Sequence, residues 1–170
     1  MIFGRYCASA PSTEPDRRGA HAVRHKVYCE LLGYEPPRAD GLEIDAYDPS
    51  AHPGILRHLP SDKIVGAVRI ITENHPAQKV SSLAINWRRA GEISRFCILP
   101  EHRNFEATEA LIDFLKRRSR DLGLKYWVAL MEPALLRLLR QHGVSFVPAS
   151  PKIDHHGERL VGVVNLRDIR

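Results

Sequence analysis

The chain has 170 residues, a size that suits one domain over 1–170 with one continuous core, and its 44% hydrophobic and 26% charged residues are ordinary for a globular protein. No stretch approaches the roughly 20 apolar residues that span a bilayer, and Met1–Asp16 lacks a basic region followed by an apolar run. A membrane span and a secretory leader are therefore not expected, and a cytoplasmic location is. The net charge of +5 invites an acidic partner, but aromatics do not interleave with the basic residues and no nucleic-acid-binding motif is present, which leaves nucleic acid as the weakest partner.

In chain order, residues 1–16 are rich in Pro, Ser and Thr and are expected to be loosely ordered. Arg17 to Leu32 reads as a helix: Ala22, Val23, Val27, Leu31 and Leu32 recur at helical spacing, and Gly33 is a stop signal. Glu35 to Gly41, with Pro36 and Pro37, is a loop. Leu42 to Tyr47 alternates as a short strand would, and Gly54 to His58 is a second candidate. Ser61-Asp62 marks a turn, so these two flank a hairpin with Ile64 to Ile71, whose near-continuous apolar character predicts burial on both faces. Glu92 to Leu99 is a further strand. An amphipathic helix over Glu106 to Leu122 is closed by Gly123 and followed by a strand over Lys125 to Met131. Pro133 to Gln141 is a helix with Pro in its first turn, and Val144–Val147 and Leu160–Leu166 complete the strands. This order predicts an α/β sandwich: a mixed central sheet of about seven strands flanked by three to four helices, with the strands at Glu92 and Lys125 parallel.

The three cysteines, Cys7, Cys29 and Cys97, fit neither a zinc site nor a disulfide framework. Cys29 and Cys97 lie in apolar segments, where a thiol acts as a small hydrophobe. Asp154-His155-His156 invites a metal reading, but adjacent His residues of a regular strand cannot face one site and no partner cluster is evident. The segment reads as a turn, and no metal is expected.

The informative feature is charge inside apolar segments. Arg69 sits in the most buried-looking strand, and Arg95 among Ile93, Phe96 and Cys97. An isolated buried charge is costly and needs partners. Glu43, Asp45, Asp48 and Glu92 supply acids, and Arg24 projects from the first helix. Glu43, Asp45 and Tyr47 share a face if extended. Glu92 and Arg95 share one only if a bulge separates them. Two readings stand: an ion-pair network that fixes the sheet, or an active site.

Four segments in order carry a resemblance. Arg24-His25-Lys26-Val27-Tyr28 through Gly33-Tyr34, Glu43-Ile44-Asp45-Ala46-Tyr47-Asp48, Ile64-Val65-Gly66-Ala67-Val68-Arg69 and Glu92-Ile93-Ser94-Arg95-Phe96 resemble the signatures of the acyl-homoserine-lactone (autoinducer) synthases and their relatives. The tail from Tyr126 through Pro133, Leu135 to Leu139 and Gly143 to Phe146, and then Asp154 to Arg159, is similar to the acyltransferases associated with the PEP-CTERM/exosortase system, near which the N-acyl amino acid synthases lie. The resemblance implies a GNAT-like acyl-CoA N-acyltransferase fold. It implies N-acylation of a small amine, in expectation an amino acid, by a medium- or long-chain acyl thioester, with no permanently bound cofactor.

Two departures bear on the substrates. The segment from Thr72 to Gly91 is short and lacks the lactone synthases' Thr/Pro signature, which argues against S-adenosylmethionine. Glu101 to Ala107 has no glycine-rich pyrophosphate loop, which argues for a carrier-protein donor over coenzyme A. The implied catalytic set is Glu92 as base, with Asp45, Asp48, Arg69, Arg95 and Arg24 binding the acceptor and pairing among themselves. Phe96, Cys97, Ile98, Trp127 and Met131 are candidates for acyl and pantetheine binding, or plain core. Arg103, Lys116, Arg117 and Arg120 are candidates for docking an acyl carrier protein, or a solvated helix face. A lactone synthase, an acetyl-CoA-dependent N-acetyltransferase and a carrier-binding module without chemistry are the rival readings.

Overall fold

The computed structural model describes residues 1–154 and 157–169, so His155 and His156 of the Asp154-His155-His156 segment lie outside the described residues. Nine strands and four α-helices make up the described chain, a mixed and mostly antiparallel α/β arrangement. The chain forms two compact units: 1–69 with 95–117, and 70–94 with the residues from 118 onward.

The first unit opens with β1 (Ile2–Phe3) and β2 (Tyr6–Ser9), which pair with each other antiparallel. The segment expected to be loose is thus a sheet edge. The reason lies in β3 (His52–His58), which takes β2 antiparallel from Tyr6↔His58 to Ser9↔Ile55 and buries Tyr6 and Ala8. Helix α1 (Glu14–Arg24) begins three residues before the expected start. Thr13 and Asp16 form a reciprocal cap: the Asp16 N–H donates to Thr13 Oγ1 (3.2 Å) and the Thr13 N–H to Asp16 Oδ2 (3.3 Å). Past Arg24 the backbone widens into a π-helix over His25–Leu31, closed by the Leu32 N–H to the Val27 carbonyl at 3.0 Å.

Leu42 to Tyr47 is not a strand. The N–H groups that a strand partner would take are satisfied locally: Glu43 N–H by the His21 carbonyl (3.1 Å), Asp45 N–H by Asp48 Oδ2 (2.8 Å) and Tyr47 N–H by Asp45 Oδ1 (2.9 Å). Short acidic side chains compete in this way with sheet ladders. β3, and not residues 42–47, therefore forms the hairpin with β4 (Lys63–Ile71) across the turn at Ser61-Asp62. The core of this unit joins Ala20, Val23 and Val27 to Ile55, Ala67 and Cys97. Phe114 of α3 (Phe105–Asp121) lies over Gly54.

In the second unit β5 (Ala90–Ile98, its residues 90–94) pairs parallel with β6 (Tyr126–Met131), as the long connecting helix predicts. The register runs only from Ala90↔Tyr126 to Glu92↔Val128, whereas β6 follows β9 (Glu158–Asn165) antiparallel to Met131↔Leu160. Helix α2 (Pro76–Val80) packs on β6 and α4 (Pro133–Gln141) on β9. The expected strand over Val144–Val147 shrinks to β7 (Val147–Pro148), which pairs with β9, as does β8 (Ile153–Asp154). Buried Trp127 donates its indole N–H to Ser119 Oγ at 2.7 Å, which satisfies both groups.

Gly66 in β4 has a packing reason: a Cβ there would lie 2.9 Å from the Cys97 carbonyl and 3.0 Å from Leu56 Cβ. Neither the carbonyl nor the buried Leu56 has room to yield. Gly66→Ala is expected to cost about 1–3 kcal/mol. That cost lowers the melting temperature by about 2–4 °C per kcal/mol, read by thermal unfolding followed by circular dichroism.

Candidate active site

Three arginines from three elements converge within the first unit. Arg24, the last residue of α1, and Arg69 of β4 are each 3% exposed. Arg95 of β5 keeps one-fifth of its side chain exposed. The intervening loop carries the acids to meet them. Arg24 grips Asp48 with both terminal nitrogens (Nη1 to Oδ1 2.6 Å, Nη2 to Oδ2 2.9 Å) and donates Nε to Glu43. Arg69 grips Asp45 in the same bidentate way, 2.6 Å on each arm, and its Nη1 also reaches Asp48 at 2.8 Å. Arg95 donates Nε and Nη2 to Glu43 Oε1 (3.1 and 2.8 Å), and Nη2 further to Glu35 (2.8 Å) and Asp45 (3.1 Å). Fork-to-carboxylate pairs of this kind are the strongest and most directional ion pairs available to a protein.

Two tyrosines frame the cluster. The Tyr28 ring lies under the Arg95 guanidinium (5.2 Å to its centroid), and the Tyr28 hydroxyl donates to the Phe96 carbonyl at 3.2 Å. The Tyr47 ring lies 5.8 Å from the Arg69 guanidinium carbon. Arg95 itself has a φ of 54°, the left-handed region, in mid-strand. Such a conformation costs a non-glycine residue of order 1–3 kcal/mol and persists where surrounding contacts over-determine it.

The electrostatics follow from burial. Burial alone would raise the carboxyl groups of Glu43, Asp45 and Asp48. The guanidiniums reverse this, Arg24 for Glu43 and Asp48 and Arg69 for Asp45, and hold all three below their ordinary values. Burial likewise opposes the charge on Arg24 and Arg95, and their carboxylates more than restore it.

Of the acids expected to meet Arg24, Arg69 and Arg95, Glu43, Asp45 and Asp48 do so. Glu35 joins them from the Pro-rich loop, where no periodicity marks it, and Tyr28 joins from the helix, where its spacing reads as core. Glu92 is elsewhere engaged: buried in β5, it accepts the N–H of Ala77, in the first turn of α2, at 2.8 Å. Phe96 is half-buried, while Cys97 and Ile98 are buried in the first unit and Trp127 and Met131 in the second. Burial pushes the Cys97 thiol up to about 12, so it carries no thiolate near neutrality. Of the basic residues, Arg117 is tied to Asp113 (2.8 Å) and to the Ala8 carbonyl (3.3 Å), Arg103 donates to the Ile98 carbonyl (3.0 Å), Lys116 is half-buried and Arg120 is exposed.

Residues 23–113, more than half of the chain and the whole ion cluster, match the family model described as the acetyltransferase (GNAT) domain. The chain belongs to this GNAT family. No curated protein sequence matches it. Among solved structures this GNAT domain is similar to the acyl-homoserine-lactone synthase LasI, with a TM-score of 0.77 and 20% identity, covering 95% of this chain and 90% of that one. It is also similar to BjaI, a CoA-dependent acyl-homoserine-lactone synthase solved with SAM and isopentyl-CoA (TM-score 0.76, 20% identity, 98% of this chain, 83% of that one). A third is FeeM, an N-acyl amino acid synthase from uncultured soil microbes (TM-score 0.72, 16% identity, 96% of this chain, 92% of that one). At these identities the likeness is one of fold. The family makes this GNAT domain an acyltransferase. Among the described residues no helix is long and apolar enough to cross a membrane.

The cluster makes two predictions. Arg69→Ala removes the bidentate partner of Asp45, leaving it the 3.1 Å contact with Arg95, and one of the two arginines on Asp48; it is expected to cost about 3–5 kcal/mol, with loss of soluble protein, and chemical denaturation of whatever remains soluble measures it. The acid response has a definite sign. Because Glu43, Asp45 and Asp48 are lowered from ordinary values of 4.5, 3.8 and 3.8, their contribution is complete above those values and is lost as pH falls through the lowered native ones. The melting temperature is therefore expected to be flat from neutrality to about pH 5 and to fall below it, in a thermal scan series at fixed ionic strength.

Proposed function

We propose that this GNAT domain transfers a medium- or long-chain acyl group from the phosphopantetheine thioester of an acyl carrier protein to the nitrogen of a small amine. The observation that carries the reading is the ion cluster. Apart from Glu35, its members come from the same four segments by which the chain resembles the autoinducer synthases and the N-acyl amino acid synthases. The likeness of the tail to the exosortase-associated acyltransferases supports placing the domain in that branch.

The chemistry asks for three things: a deprotonated amine, a polarised thioester carbonyl and a fixed donor arm. The amine lone pair attacks the carbonyl carbon, the C–N bond forms, the C–S bond breaks and the thiol leaves. Glu92 is assigned as the base that takes the amine proton through a water. Its hydrogen bond from Ala77 holds the carboxylate in one place. Asp45 and Asp48, anchored by Arg69 and Arg24, orient the acceptor. The backbone N–H groups over Phe96–Ile98 are assigned to the oxyanion. The donor arm is assigned to β5 beyond Glu92, and Phe96, Trp127 and Met131 are assigned to the acyl chain.

The carrier-protein donor is favoured by the start of α3. A pyrophosphate would seek free N–H groups at a helix N-terminus. Here the Ala107 N–H is taken by Asn104 Oδ1 at 2.9 Å, and the first turn carries Glu106. Arg103, Lys116, Arg117 and Arg120 are assigned to docking the acidic carrier.

The test offers the protein a mixed pool of acyl carrier protein and coenzyme A thioesters with amino acids, amines and S-adenosylmethionine, and identifies products by mass spectrometry. An N-acyl product drawn from the carrier thioesters is expected. A lactone formed only with S-adenosylmethionine, or transfer from coenzyme A alone, overturns the acceptor or the donor respectively. Glu92→Gln keeps an acceptor for the Ala77 N–H, so the melting temperature should hold while kcat falls about 10²–10⁴-fold. Full activity in this variant removes Glu92 as the base.

A further inference from the structure

Acyl transfer as set out above leaves a buried imidazole of the second unit without a task. His75, 4% exposed, immediately precedes α2, yet its side chain makes no capping bond to that helix. The ring turns to β5 instead, where Nε2 lies 3.1 Å from the Ala90 carbonyl. A carbonyl oxygen only accepts, so the proton sits on Nε2 and the imidazole donates. The Trp87 ring packs against it, with centroids 5.2 Å apart. Burial holds the pKa of His75 below the ordinary histidine value, so the ring is neutral near pH 7. Two residues on, the Ala77 N–H donates to Glu92 Oε2 at 2.8 Å. Ala90 and Glu92 are likewise two apart on β5, so the chain from His75 to Ala77 is tied to β5 at both ends. Only Pro76 separates the two ties, and its ring fixes φ and offers no N–H of its own. The next N–H, that of Gln78, returns to the His75 carbonyl at 3.1 Å. Ala77 and Ala90 are fully buried and share a core with Val128 and Val161.

We propose that His75 is a positioning residue: its bond to the Ala90 carbonyl holds the first turn of α2 against β5, and that turn fixes the Glu92 carboxylate in the orientation from which it takes the acceptor's proton. The proposal rests on the assignment of Glu92 as base and deepens it. Helix α2 has five residues, too few internal hydrogen bonds to keep its own first turn in place. The anchor must therefore come from outside the helix, and the ring of His75, gripped between Trp87 and the Ala90 carbonyl, supplies it. The stretch between Thr72 and Gly91 then has a use of its own, which is to present one directed N–H to the base.

The experiment compares His75→Phe, which keeps a ring against Trp87 but no donor, with His75→Gln, whose amide can donate from the position of Nε2. Each is made in the wild-type protein and in Glu92→Gln. His75→Phe is expected to lower kcat by about 10²-fold, the loss typical of a displaced catalytic group, with both substrate KM values unchanged. His75→Gln is expected to recover most of that loss. In the Glu92→Gln background His75→Phe is expected to cost nothing further, because the two residues act through one carboxylate. Wild-type kcat in His75→Phe, no recovery in His75→Gln, or a full additional loss in the Glu92→Gln background overturns the proposal. Amide hydrogen exchange at Ala77 gives a readout that needs no turnover. It is expected to speed up by about 10-fold or more in His75→Phe and to stay slow in His75→Gln. If Glu92→Gln is fully active, the assignment of Glu92 as base fails on its own. Exchange at Ala77 then decides whether His75 holds the turn on Glu92: it does if only His75→Phe loosens that amide, and does not if the amide is equally slow in both variants. Should His75→Phe not fold, His75→Asn, too short to reach the Ala90 carbonyl, takes its place under the same criteria.

Discussion

Three guanidiniums sit in or beside the core of the first unit, two of them almost wholly removed from water, and most of that unit's architecture can be understood as the means of keeping them charged. Each brings a desolvation penalty of several kcal/mol that only well-placed carboxylates offset. The requirement reaches far along the chain. Arg24 needs α1 to end where it does, Arg69 needs β4 in register, and Arg95 needs a left-handed backbone in mid-strand. The acids must come from a segment flexible enough to turn several side chains one way, which a pleated strand cannot do because it alternates them. Residues 42–48 solve this by abandoning the strand. Asp45 and Asp48 each accept one backbone N–H from their own loop while meeting an arginine.

Such a cluster is a poor source of stability relative to an apolar core of equal volume, which makes its presence in a small domain informative. It fixes one arrangement of α1, the acidic loop, β4 and β5, and leaves an edge of mixed charge in contact with water. A site that must hold a charged acceptor in one orientation needs such rigidity, because geometry held in advance supplies much of the rate in acyl transfer. Glu92 and its neighbours make a parallel case in the second unit, where a buried carboxylate is held by the first turn of a short helix and the β5–β6 register ends at the same residue.

The family and the chemistry support one another without being the same argument. Membership of the GNAT family establishes acyl transfer. The neighbouring structures, an N-acyl amino acid synthase and lactone synthases among them, share the fold at 16–20% identity. The local geometry adds what the fold does not: Arg95 meets Glu35 at the edge of the ion cluster, and the Ala107 N–H at the start of α3 is already capped.

Much of this was legible in the amino-acid order. Burial periodicity located β4, β5, α3, β6 and α4 to within a residue or two, because a two-faced apolar strand and an amphipathic helix leave different spacings. Charges inside those apolar runs marked Arg69 and Arg95, and the need for partners pointed to Asp45 and Asp48. The sequence pattern did not reveal that residues 42–47 form no strand, since alternation is equally the mark of a strand and of a loop whose N–H groups are capped by its own carboxylates. Nor did it show that β1 and β2 order the N-terminus, because two- and four-residue edges gain their stability from β3 and not from their own composition. The contacts of Glu35 and of the Tyr28 ring with Arg95, and of the Tyr28 hydroxyl with Phe96, were decided only in the folded state. Each depends on which groups meet across 52 to 68 residues of chain, and no local spacing records such a meeting.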